Sequence, residues 1–124
     1  MSKIVCNTVD FVFKNEIMTM NNNETPVLIN AAGWKKIEVV EKPVYQSNVK
    51  QNDAGPTNEE TVTVKARRNN LTELLIQYCG FHTVLRMSTD KETFYVGSID
   101  YPCTLEFTND KIFDNYSFKA ISPA

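Results

Sequence analysis

The chain has 124 residues, 42% of them apolar and 10% aromatic, which suits one globular domain with a useful core and excludes a low-complexity or largely disordered chain. Its 13 basic and 15 acidic residues leave a formal charge of -2, so the basic excess that meets a phosphate backbone is missing and direct nucleic-acid readout is not expected. No apolar run is long enough to span a bilayer, and the opening MSKIVCNTVDFVFKNE lacks the apolar core of a signal peptide, so neither a membrane segment nor a secretory leader is expected.

In chain order, residues 3–14 read as a strand bent near Asn7, with Val9, Phe11 and Phe13 on one side and Asp10 and Lys14 on the other. A turn at Lys14-Asn15-Glu16 leads to a short segment, 17–20, and Asn21-Asn22-Asn23-Glu24 breaks the pattern. Val27, Leu28 and Ile29 form a short apolar run. Gly33-Trp34 opens a longer extended element in which Ile37 and Val39 alternate with Lys36 and Glu38. Pro43 cannot donate to a ladder and is placed at an edge or bulge, after which Val44, Tyr45 and Val49 keep strand character.

Residues 50–60, KQNDAGPTNEE, hold no large apolar side chain and read as a polar loop. Residues 61–67 form the cleanest strand, with Val62, Val64 and Ala66 facing in and Thr61, Thr63, Lys65 and Arg67 facing out. The two arms predict a long hairpin with a projecting tip. Next comes the one helical pattern. Asn70 is placed to cap it and Glu73 to complete a capping box, while Leu71, Leu74, Leu75 and Tyr78 make one apolar face and Gly80 ends it. A helix this short needs a surface to dock on.

Strands are predicted over 81–87 and 92–99, joined by a turn at 88–91. Gly97 marks a bulge or a close backbone approach, and Tyr101-Pro102 the exit. Cys103, Leu105 and Phe107 then alternate with polar residues, Asn109-Asp110 turns the chain, and Tyr116, Phe118 and Ala120 line the inner side of the last strand. The expected fold is a single α+β domain over residues 1–124: an antiparallel β-sandwich or partly open β-barrel with one helix, 71–79, packed on it and a long projecting β-hairpin.

The residues offer little chemistry. Cys6, Cys79 and Cys103 are too few and scattered for a disulfide framework, and each reads as a small buried hydrophobe in a reducing compartment. His82, the lone histidine, stands three residues after Cys79, but no second pair completes a structural zinc site and nothing supports an activated thiol. No phosphate-binding glycine loop or nucleophile elbow occurs, so no cofactor, metal or catalytic residue is expected. Two candidate surfaces remain. One is the hairpin, through Lys50, Gln51, Asn52, Asp53, Glu59 and Glu60 with the adjoining Lys65, Arg67 and Arg68, as an interaction surface that, together with unpaired sheet edges, is expected to join copies of the chain. The other is a ligand-stacking platform for a small molecule or carbohydrate, if Trp34, Tyr45, Tyr95 and Tyr101 share an exposed face.

The order of motifs resembles a known group. Trp34-Lys35-Lys36-Ile37, a polar loop within a hairpin, Leu71-Thr72-Glu73-Leu74-Leu75, Thr83-Val84-Leu85, Tyr95-Val96-Gly97-Ser98, Tyr101-Pro102-Cys103-Thr104-Leu105 and Tyr116-Ser117-Phe118 are similar to small tail and neck proteins of bacteriophages and prophages of Bacteroides-type hosts, over residues 34–119. The likeness is to the tail-tube and tail-terminator group, and residues 3–30 have no counterpart in it. It implies a non-enzymatic, ring-forming virion component, partnered by copies of itself and other virion proteins, assembled in the bacterial cytoplasm and then carried in the virion. It supplies no catalytic residue.

Overall fold

The computed structural model describes residues 2–19, 27–28, 33–51, 53, 55–67, 82–109 and 113–123. They form β1 (Ser2–Val5), β2 (Thr8–Phe13), β3 (Ile17–Thr19), β4 (Val27–Leu28), β5 (Lys35–Lys36), β6 (Val44–Lys50), β7 (Thr57–Arg67), β8 (His82–Ser88), β9 (Thr93–Val96), β10 (Cys103–Asn109) and β11 (Phe113–Pro123), with one 3-10 turn at Lys14–Glu16. β3 and β4 make a small separate pair. The rest join one nine-stranded sheet in the order β1-β6-β7-β11-β10-β8-β2-β5, with β9 beside β8.

Period-two alternation puts apolar side chains of neighbouring strands in register. Ile4, Tyr45, Val62, Phe118 and Leu105 stand opposite one another across β1, β6, β7, β11 and β10 and form one inward row. Val62, Phe118 and Leu105 are buried, as are Val9, Phe11, Leu85, Met87 and Val96 from the other side of the same core. Full burial of each large side chain contributes roughly 1.5–3 kcal/mol relative to exposure, so a one-residue register slip would turn the whole inward set to solvent.

The sheet curls because its first strand serves both of its ends. β1 pairs with β6 and β2 with β8, yet only Cys6 and Asn7 separate them. At that bend the two amides donate in opposite directions, Cys6 N to the Pro43 carbonyl at 2.8 Å and Asn7 N to the Ser88 carbonyl at 2.7 Å. The gap left between β2 and β7 is filled by the segment after β5: Ile37 N donates to Val9 O at 3.1 Å, and Val40 N to Lys65 O at 2.9 Å. Ile37 thereby points into the core, 1% exposed. The result is a barrel whose interior is one continuous apolar cluster.

The α+β class expected from the sequence is therefore corrected to an all-β fold: among the described residues the regular elements are strands, and the only helical turn is three residues long. The sequence reading expected a sandwich or partly open barrel with a helix packed on it as a lid. A sheet closed on itself buries one face without a second layer. The expected helix, 71–79, lies outside the described residues, as does Cys79.

Two boundaries also differ. β7 begins at Thr57, so Asn58, Glu59 and Glu60 belong to a strand flanked by β6 and β11 and the connection spans only 51–56. Their polarity reflects the outer face and the barrel mouth, where strand residues need not be apolar. β9 stops at Val96, because Gly97 takes φ +86° and the chain leaves β8 for a loop before returning as β10. Ser98 N donates to Tyr101 O, and Tyr101 N to Ser98 Oγ, each at 3.1 Å, closing that loop.

Candidate interaction surfaces

The expected hairpin surface is present in part. Lys50 Nζ lies 3.0 Å from Glu59 Oε2 and Lys119 Nζ 3.5 Å from Glu59 Oε1, so Glu59 ties β6, β7 and β11 together on the outer face. The Lys50 hydrogen bond, with the Lys119 charge, holds the Glu59 carboxyl below its ordinary range. Glu60 has the opposite parity and turns to the barrel mouth, where its Oε2 accepts from the Tyr45 hydroxyl at 2.6 Å. Burial, then that acceptor, pushes the Tyr45 hydroxyl up. Gln51 and Asp53 are exposed at the tip, where Gly55 takes φ +110°; Asn52 and Arg68 lie outside the described residues. Lys65 and Arg67 both stand over the Phe113 ring, at 4.7 and 5.7 Å, and Lys65 also meets Glu41 at 3.8 Å. These two cations are engaged within the chain.

The four aromatics do not share one face. Tyr45 faces inward and packs edge-on against Phe94 at 5.0 Å, and Tyr101 sits in the loop after Gly97. Trp34 and Tyr95 do meet, 5.8 Å apart, on the outer side of β2, β8 and β9. There the register lines up Lys36, Asp10, Arg86 and Tyr95. Asp10 Oδ2 accepts from Arg86 at 2.8 and 3.1 Å, which presents the guanidinium to the Trp34 ring at 4.7 Å. Trp34 also packs on Val12, Ile17 and Val84, a second small core outside the barrel. Its ring thus serves as a cover for these strands.

His82 is exposed at the start of β8 and lines a groove of about 400 Å³ with Asp100, Tyr101, Glu106 and Lys119. No hydrogen bond or ion pair joins the imidazole to either carboxylate. Cys103 and Cys6 are buried in the barrel; burial pushes both thiols up, with the Glu60 charge adding at Cys103 and Glu92 at Cys6. Neither has the electropositive setting of a reactive thiolate. Among the described residues no group of three His, Cys, Asp or Glu is placed to hold a metal, and no helix is long and apolar enough to cross a membrane.

Sheet edges were expected as contact surfaces, but sequence reasoning did not identify which strand supplies one: it is the outer edge of β1. β1 ends the sheet order, pairing with β6 alone among the described strands. Beside this edge a groove of about 590 Å³ runs between Ile4, Val5 and the turn Thr89 to Glu92, with Lys42 at its border. The turn is fastened by Asn7 Nδ2 donating to Asp90 Oδ1 and by Thr89 N donating to Glu92 O at 2.8 Å. Val5 is 56% exposed. A charged Lys3 beside an exposed Val5 was the available signal, but an edge strand and a central one give the same alternation.

No protein-family model, curated protein or solved structure matches the chain.

Proposed function

We propose that this chain is a non-enzymatic structural and assembly protein, self-associating through an open sheet edge and the β6–β7 hairpin, as a tail or neck component of a phage or prophage virion. The observation that carries the assembly reading is the outer edge of β1, which among the described strands has no partner beyond β6 in a sheet that otherwise closes on itself. Two further features support it. The hairpin tip projects polar side chains, and Val49 and Ile121, 60% and 51% exposed, lie near it on β6 and β11. The virion setting, with assembly in the bacterial cytoplasm, rests on the order of motifs over residues 34–119.

The ligand-binding alternative retains only Trp34 and Tyr95 of its four aromatics, and Trp34 is already covered by Arg86 and the outer core. Light scattering coupled to size exclusion tests the assembly reading: a mass above that of one chain, 14.1 kDa, rising with concentration, is expected. A constant single-chain mass at the highest attainable concentration refutes it.

A further inference from the structure

We infer that two copies of this chain pair along β1, antiparallel about a two-fold axis at Ile4, so that Lys3 of each copy stands opposite Val5 of the other. This rests on the self-association reading above and specifies its first contact. In the β1–β6 ladder Cys6 donates toward β6, and the register places Ile4 against Tyr45 and Ser2 against Ser47. Backbone groups alternate in direction along an antiparallel strand, so Ser2, Ile4 and Cys6 bond to β6 and Lys3 and Val5 point outward. Asn7, the next outward residue, is taken by Ser88. Among the described residues this edge therefore offers two amides and two carbonyls without a partner strand, those of Lys3 and Val5.

Three two-fold registers pair Lys3 and Val5 with one another, and registers centred nearer Asn7 meet an amide already bonded to Ser88. Placing Lys3 opposite Lys3 sets like charges face to face, which is unfavourable. Placing Val5 opposite Val5 brings Lys3 to Asn7, whose amide is already bonded to β8. Placing Lys3 opposite Val5 satisfies all four outward groups with four hydrogen bonds and opposes no charges. A lysine on an edge strand ordinarily guards against pairing. Here it selects the register.

The flanking turn supplies the complementary charge. Asn7 and Asp90 are bonded, which holds the Asp90 carboxylate beside the end of β1. In the two-fold pair, Lys3 of the second copy lies opposite Val5, two residues from Asn7, within a lysine's reach of Asp90. Its aliphatic stem covers the exposed Val5 side chain. The pairing also continues the β1-β6-β7-β11-β10 face across both molecules. An edge of four residues is small beside a standard interface, so the pair is expected to be weak and concentration-dependent.

The experiment uses the full chain, its Val5→Pro, Lys3→Asp and Asp90→Lys variants, and sedimentation or light scattering over a wide concentration range. Val5→Pro removes one outward amide and none of those bonded to β6, so it is expected to give monomers with an unchanged circular dichroism spectrum. Lys3→Asp and Asp90→Lys each place like charges together and are expected to weaken the dimer about tenfold or more. Mixing these two variants restores opposite charges at both contacts and is expected to recover the dimer as a heterodimer. Should Val5→Pro misfold, the mixing result decides alone. A wild-type chain that assembles while Val5→Pro and both charge variants assemble equally well overturns the edge pairing and leaves the assembly reading standing; a wild-type monomer throughout overturns both. Monomers that bind an added extended peptide along β1 would assign the same edge to a foreign strand, against this inference.

Discussion

Gly97 is the sharpest place to perturb the barrel, because the chain must leave one strand there and rejoin the sheet as the next. At φ +86° an L side chain is strained by about 1–2 kcal/mol. A Cβ added at that position would stand 3.0 Å from Cys103 Sγ, 3.2 Å from Cys103 N and 3.4 Å from Tyr101 O. The sulfur is itself held, donating to Val96 O at 3.5 Å, and a strand amide cannot withdraw without disturbing β10. Crowding therefore adds to the dihedral strain, and Gly97→Ala is expected to lose about 2–4 kcal/mol in total. For a domain of this size that is a fall of roughly 8–15 °C in Tm. Gly55→Ala is the matched control: its φ is +110°, but an added Cβ meets nothing within 4 Å, so only the dihedral strain applies. Urea unfolding of both variants and the parent separates the two contributions. If Gly97→Ala were no more destabilising than Gly55→Ala, the close approach to Cys103 would be wrong. If both fell within about 0.5 kcal/mol of the parent, the conformational argument itself would fail.

Four further outcomes follow from the same contacts. Burial raises the folded-state pKa of Cys6 and Cys103, so their stabilisation is complete below the unfolded thiol value near ~8.5 and is lost as pH rises above it, by up to about 1.4 kcal/mol per pH unit for each; urea midpoints between about pH 8 and 10 should fall, and Cys103→Ala should flatten the slope. Glu59 has the opposite sign: its depressed carboxyl stabilises above the ordinary carboxylate range and loses that contribution as pH falls through the folded value, so Glu59→Gln should make the acid limb of the stability profile shallower. Tyr45→Phe leaves Glu60 at the barrel mouth without its 2.6 Å donor and should lower stability by about 1–2 kcal/mol in urea unfolding; no change would mean that solvent replaces the hydroxyl freely. Trp34→Ala uncovers Val12, Val84 and Ile17 and should cost about 2–4 kcal/mol, whereas a stacking platform for sugars predicts a stable variant and a Trp34 emission change on titration with oligosaccharide.

Much of the strand pattern was legible because burial of one face imposes a period of two, and that period is local. Val62, Val64 and Ala66, Phe94 and Val96, Leu105 and Phe107, and Tyr116 and Phe118 all take the inward side that alternation assigns them. The bend near Asn7 and the special role of Gly97 were legible too, the first from an interrupted pattern and the second from a glycine inside a strand. The candidate site was read less well. Glu59 and Glu60 looked like loop because polar residues on a strand's outer face and at a barrel mouth carry no apolar signature. Trp34 and Tyr95 could be singled out, but not their meeting, which depends on Arg86 and Asp10 arriving in register from two other strands.

The sequence by itself determined which residues turn inward, where the chain bends and where it turns, since each depends on side chains a few positions apart. Only the tertiary structure decided that β1 and β2 serve opposite ends of one sheet, that the segment after β5 fills the remaining gap, and that the described strands enclose one apolar core between them. Those are matters of which strand lies beside which, and alternation is the same whatever the neighbour. The outer edge of β1 belongs to this second group: Lys3 and Val5 are ordinary strand residues until closure leaves their amides and carbonyls without a partner among the described strands.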